Sequence, residues 1–249
     1  AGFAKGFCRQ DKEDRVLLQE AENLAGKADF VLFCMGLDEM KESEGLDRKN
    51  MQIAANQIRA LQAVEKVNHN VVVILSAGSA VEMPWLENCR ALLFACLGGQ
   101  AGAGAVLDAL TGKINPSGKL AETYPIRYED TPSCHSYPGK AKTSEYREGI
   151  YIGYRYYDTA GLEVTFPFGY GLSYTGFAYS QLTVDRSRIT CVITNTGDCD
   201  GAEIVQLYVH RAAKNDGHRI FRPEKELKGF RKVFLKAGES KPVTIELDE

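Results

Sequence analysis

The sequence predicts an α/β fold, a mostly parallel sheet with helices on both faces (an α/β sandwich), followed by a smaller all-β sandwich. Three observations carry this. Short continuous apolar runs at residues 29–35, 70–75 and 90–97 have the texture of buried strands. Amphipathic segments alternate with them, and strand–helix alternation builds parallel sheets covered by helices. From about Phe177 the helical periodicity disappears and short extended segments follow one another between turns.

The elements follow in order. Residues 13–26 read as an amphipathic helix with Val16, Leu17, Ala21 and Leu24 on one face. Residues 29–35 (DFVLFCM) read as a strand covered on both faces, after which Gly36 opens an acidic loop. Residues 50–66 are helical again, with Met51, Ala54, Ile58, Leu61 and Val64 on one stripe. Residues 70–75 (NVVVIL) are a second buried strand, closed by the turn Ser76-Ala77-Gly78-Ser79, and residues 90–97 are a third. The glycine-rich stretch 98–104 leads into a helix at 105–110, with Gly112 as its C-cap. Residues 115–172 carry prolines and many tyrosines and read as an irregular wrapping segment of a first domain, 1–172. The second domain, 173–249, holds strands at 181–184, 188–194, 202–210, 226–235 and 240–247. Asn195-Thr196-Gly197 and Lys236-Ala237-Gly238 supply turns. Ile189, Cys191 and Ile193 alternate as a half-buried sandwich strand requires. Five strands are fewer than the ~7 of such a sandwich, so this domain is expected to be incomplete.

Composition narrows the function classes. The 249 residues suit two domains. A net charge of −3 with scattered lysines and arginines argues against nucleic acid as a partner. No apolar run approaches the ~20 residues of a membrane helix. Seven cysteines, an odd number with no CxxC pair, suit free thiols; Cys34 and Cys96 lie in apolar runs and read as buried. A reducing, cytoplasmic setting is expected rather than secretion. The four histidines, His69, His135, His210 and His218, are too dispersed for a familiar metal site, and no cofactor is expected.

Chemistry concentrates after the first strand, where parallel sheets place their sites. Asp38, Glu39, Glu42, Glu44 and Asp47 put five acids into ten residues. Crowded carboxylates raise one another's pKa, and a carboxyl kept protonated near neutral pH can act as a general acid. Glycosidases need such an acid with a second carboxylate opposite. The competing reading is a solvated acidic loop whose Asp47 caps the next helix, with Arg48 as a partner for the acids. Composition leaves both open.

Motif order separates them. Ser43-Glu44-Gly45-Leu46-Asp47-Arg48 resembles the E-G-x-D-R loop of the family 3 glycoside hydrolases. Residues 76–85 (SAGSAVEMPW) are similar to that family's S-G-x-P-V-E-x-P-W segment, and residues 115–120 (NPSGKL) to its turn of the same form. Residues 146–157 (YREGIYIGYRYY), 166–174 (FPFGYGLSY) and 226–230 (ELKGF) extend the likeness from about residue 29 to the end. The resemblance implies the family's C-terminal α/β sandwich domain, then part of a fibronectin-III-like domain. It implies Glu44 as general acid/base of a retaining β-glucosidase acting on a terminal β-D-glucosyl residue of a β-glucoside or oligosaccharide. The nucleophile would be an Asp on a TIM barrel that is absent here: no S-D-W occurs, and a barrel alone needs ~250 residues. In most members the barrel precedes this region; in permuted members, which residues 4–12 resemble, it follows. A β-xylosidase or arabinosidase, a non-catalytic scaffold or sugar-binding module, and a homo-oligomer all stay open. Substrate-binding residues are not assigned.

Other features invite weaker readings. The glycines at 98–104 do not match G-x-G-x-x-G, since Leu107 stands where the third glycine would fall, and suit close helix–sheet packing. Trp85 reads as a packing residue, and Ser79 lacks a His and Asp motif. Tyr146, Tyr151, Tyr154, Tyr156 and Tyr157 read as an interface with the absent barrel, and Glu148 as an ion-pair partner of Arg147.

Overall fold

The computed structural model describes residues 1–139, 142–210 and 221–247; His218 lies outside them. The chain forms two compact units, residues 1–106 with 124–131, and residues 107–123 with 132–249.

The first unit is α/β. Strands β1 (Val31–Gly36), β2 (Val71–Ser76) and β3 (Ala91–Phe94) form a parallel sheet in that order, with Val31 opposite Val71 and Val72 opposite Ala91. Val71, Val73 and Leu75 of the central strand are fully buried. Helix α1 (Arg15–Ala25) starts at Asp14, whose carboxylate accepts from Val16 N and Leu17 N. It packs on α2 (Ala55–Val67), which buries Ala60, Leu61, Ala63 and Val64. Helix α3 (Gly102–Leu110) starts in this unit and continues past its last residue, Val106; it ends at Gly112, whose φ of +73° and bond to Ala109 O make the expected C-terminal turn. Short strand β4 (Tyr124–Pro125) is also buried.

Several expectations are corrected here. Edge strand β1 is covered on one face: Phe33 and Met35 are buried, whereas Leu32 and Cys34 are exposed. All seven cysteines are free, but Cys34 and Cys96 are not buried. Val16 lies outside the stripe of α1 and is exposed. Helix α2 begins five residues later than residue 50, so Met51 precedes it and Asp47 does not cap it. Its N-cap position is Ala54, and the missing acceptor comes from Asp11, which takes Ala55 N at 3.3 Å and Asn56 N at 2.9 Å. Among the glycines of 98–104, only Gly98 makes a close approach, to the Gly102 backbone; a Cβ on Gly102 or Gly104 would meet nothing.

The second unit is built on β6 (Phe177–Asp185), β7 (Arg188–Asn195), β8 (Gly201–Val209), β9 (Glu226–Leu235) and β10 (Ser240–Glu246), the five strands expected. A three-stranded antiparallel sheet, β10-β7-β6, and the hairpin β8-β9 share one core of Ile193, Val205, Leu235, Val243 and Ile245. Asn195 at the predicted turn is fully buried and satisfied. It donates to Cys199 O and Leu235 O and accepts from Thr175 Oγ1 and Gly197 N. Residues 107–123, 132–139 and 142–172 belong to the same unit as these strands. They include α4 (Tyr154–Ala160) and β5 (Val164–Phe166), regular pieces inside a segment read as irregular. The NPSGKL turn is a fastener: Asn115 reaches Asp200 O and Tyr174 N, and Lys119 Nζ reaches Gly171 O and Glu203.

Candidate active site

The site is assembled where β1 and β2 end side by side. Gly36 lies so close to Ser76 that a Cβ would stand 1.9 Å from Ser76 O. The Gln57 side chain clamps this end, accepting from Gly36 N at 2.9 Å and donating to Gly36 O at 3.0 Å. Leu37 N then donates to Ser76 O, and the acidic loop departs.

Each acid there has its own surroundings. Asp38 turns the chain by accepting from Met40 N and Lys41 N. Glu39 pairs with Arg9. Its carboxyl is held below the ordinary value by its own backbone amide and then by Arg9. This runs against the upward shift expected from crowding: the backbone donor and the cation outweigh the desolvation that would raise it. Glu42 accepts from Gly78 N at 3.0 and 2.9 Å, one bond to each oxygen, and from Ser79 Oγ at 3.2 Å. Arg48 Nη1 donates to the same Ser79 Oγ at 2.6 Å and to Ala80 O at 3.2 Å. Arg48 therefore braces the turn after β2.

Between these two anchors the chain makes a tight turn. Ser43 bridges Leu46, Leu46 N donates to Ser43 O at 3.3 Å, and Gly45 has φ +80°, as the third residue of a type II turn requires. Glu44 occupies the second position of that turn. It is exposed, and its carboxylate has no partner among the described residues. Leu46, exposed like Glu44, lies beside it.

The other residues singled out are placed as follows. Trp85 is 1% exposed and packs in the core, so its ring is not presented for stacking. Ser79 serves the turn, between Arg48 and Glu42. Arg147 pairs with Glu145 rather than with Glu148. The tyrosines divide: Tyr146 is exposed, Tyr157 is buried, and Tyr154 packs on Phe168 and Tyr208 while its hydroxyl accepts from Leu227 N. Tyr154 is thus half-buried and Tyr157 buried, both within the second unit. An open cleft lined by Arg9, Lys12, Asp38 and Glu39 borders the stem of the loop, and Glu44 lies outside it. Among the described residues no group of three or more His, Cys, Asp or Glu is placed to hold a metal ion. No described helix is long and apolar enough to cross a membrane.

Residues 8–174 match the glycosyl hydrolase family 3 C-terminal domain. The chain belongs to this family. Residues 203–249 match a fibronectin type III-like domain. Thermostable beta-glucosidase B of Acetivibrio thermocellus is 46% identical over 256 residues, covering 99% of this chain and 33% of that protein. An exo-alpha-(1->6)-L-arabinopyranosidase of Bifidobacterium breve is also 46% identical, covering 100% of this chain and 33% of that protein. The crystal structure of the Bifidobacterium adolescentis GH3 beta-glucosidase superposes with a TM-score of 0.94 at 46% identity, over 99% of this chain and 37% of that one. The family 3 chain described here thus spans about a third of the length of the relatives it matches.

The roles of Glu42 and Gln57 were missed in the sequence. Glu42 was one acid of five, and nothing local says that its acceptor oxygens meet an amide 36 residues away. Gln57 lay on a predicted helix, and its pairing with Gly36 depends on how that helix crosses the sheet.

Proposed function

We propose that this chain supplies the general acid/base of a retaining β-glucosidase, and that Glu44 is that group. In this reading the complete enzyme removes terminal non-reducing β-D-glucosyl residues, with an Asp nucleophile on a barrel domain outside this chain. The observation that carries the reading is the placement of Glu44. It stands alone at the tip of a turn held at both ends, at the carboxyl end of the parallel sheet, with its carboxyl open to another surface. As the glycosidic C–O bond breaks, Glu44 gives its proton to the leaving oxygen. As carboxylate it then takes a proton from the water that hydrolyses the glycosyl-enzyme. The nucleophile would stand ~5–5.5 Å away across the anomeric carbon.

The β-glucosidases among the relatives support glucose as the sugar. The arabinopyranosidase of equal identity favours a second reading within the same mechanism, a terminal pentopyranoside. The ends of the two family matches, at residue 174 and from residue 203, support a division into domains 1–172 and 173–249. Seven free thiols support a cytoplasmic setting.

The test is Glu44→Ala in the complete protein. Turnover of unactivated β-glucosides is expected to fall by ~10²–10⁴-fold. Azide, a nucleophile that needs no base, should partly restore cleavage of activated aryl glucosides. Unchanged turnover of unactivated substrates would remove Glu44 from the mechanism.

A further inference from the structure

We infer that Glu42 is a positioning residue for Glu44, and that its seat on the Gly78 amide and the Ser79 hydroxyl sets where the Glu44 carboxyl stands. The inference rests on the acid/base reading of Glu44. It begins with what an exposed turn lacks. The Glu44 carboxylate has no hydrogen bond to fix it among the described residues, so its position is inherited from the backbone of residues 43–46, where Ser43 Oγ donates to Glu44 O. That backbone is held at one end by Glu42 and at the other by Arg48, and both side chains bind the same short turn, Gly78 to Ala80. The five residues from 43 to 47 lie between the anchors, and four of them form the tight turn, so little slack remains.

The seat fits a carboxylate. Gly78 N reaches both Glu42 oxygens at hydrogen-bond distance. Ser79 Oγ donates to Oε1 while accepting from the Arg48 guanidinium, so the cation polarises the hydroxyl toward the anion. Residue 78 must also be small. A Cβ there would stand 2.9 Å from Glu42 Oε1 and 3.0 Å from Leu97 Cδ1, so it would press directly on the Glu42 carboxylate. A displacement of about 1 Å in a catalytic group can cost ~10²-fold in rate. The geometry therefore links a side chain that touches no substrate to the proton-transfer step.

A positioning role has a signature that lost stability lacks. Proton donation matters most when the leaving group is a poor one. In the complete protein, log kcat/KM is measured against the pKa of the leaving phenol for a series of aryl β-glucosides. Glu44→Ala should steepen this line strongly. Glu42→Ala should steepen it in the same sense, with a loss of ~10–100-fold for the most basic phenol and a few-fold for the most acidic. Glu42→Gln, which keeps one acceptor oxygen, should recover part of the loss. Gly78→Ala should reproduce the steepening, and the double variant should be no worse than either single one. Glu42→Ala or Gly78→Ala lines parallel to the parent, beside a steep Glu44→Ala line, would overturn the inference and leave Glu44 in place. An unchanged slope in Glu44→Ala would remove the acid/base reading and the inference with it.

Discussion

Glu42 and Glu44 stand two residues apart and differ in what surrounds them. Glu42 receives hydrogen bonds on both oxygens, whereas Glu44 is presented at a turn tip. Composition cannot distinguish them; the resemblance singles out Glu44 by motif order, but nothing in it singles out Glu42, whose partners lie on the turn after the neighbouring strand. The tyrosines teach the same lesson. They read as one set, yet Tyr146 is exposed, Tyr154 packs on Phe168 and Tyr208, and Tyr156 and Tyr157 pack on each other. Tyr208, outside that set, acquires the most informative surroundings. Burial pushes its phenol up to about 12, with Tyr154 and Asp158 adding to the shift. Tyr179 is pushed up as well, by burial and then by the adjacent Glu203 carboxylate. An unfolded tyrosine titrates at ~10. A folded pKa above the unfolded one means the contribution is complete below pH ~10 and is lost as pH rises through the folded value. The urea midpoint is therefore expected to fall between pH 10 and 12 in excess of the general alkaline trend. Tyr208→Phe should flatten that fall while costing about 1 kcal/mol at pH 7, since its hydroxyl donates to Gln206 Oε1. Urea titrations at pH 7, 9 and 11 decide it: a fall as steep in the variant as in the parent would clear Tyr208 of the role.

Elements were legible where a local pattern carries them. Strands β6 to β10 follow from short extended segments between turn residues, and α1 from its apolar stripe; the Asp14 cap was not read. The start of α2 was not legible. A helix without a local cap leaves its first amides to be satisfied from elsewhere, and here the acceptor lies 44 residues upstream in Asp11. Asn56 completes the junction by donating to Cys8 O, Gln10 O and Lys12 O, so the chain before α1 is tied to the head of α2. Helix α4 was missed for a related reason. Its seven residues are too few for periodicity, and Gly153 at φ +55° starts it without a side-chain cap. Asp11→Ala should cost about 1 kcal/mol, the usual worth of a helix cap, whereas Asp11→Asn should cost only a few tenths. Denaturant unfolding measures both. Equal costs for the two would show that the charge of Asp11, rather than its acceptor oxygen, is what α2 uses.

At the scale of the whole molecule, one family 3 domain carries a carboxyl and the match to relatives three times as long leaves room for the rest. The order of motifs made the family legible, since motifs from residue 43 to residue 230 can be read without the fold. Sugar specificity was not legible: the cleft beside the acidic loop leaves Glu44 outside it, and Glu44 is exposed. The isolated chain of 249 residues is therefore expected to show no glycosidase activity. The argument is one of magnitude. A positioned general acid contributes ~10²–10⁴-fold, whereas enzymes accelerate their reactions by ~10⁶–10¹⁷-fold. The remainder comes from the nucleophile, from held substrate and from stabilised charge, which a lone exposed carboxyl does not supply. Release of phenol from an aryl β-glucoside by the pure chain should match buffer within error. Hydrolysis above buffer that disappears on Glu44→Ala would mean that a second carboxylate within these residues completes the pair, and Glu148 would be the first to replace. One oxygen of that side chain is buried without a hydrogen-bond partner, as a carboxyl recruited to a reaction could be.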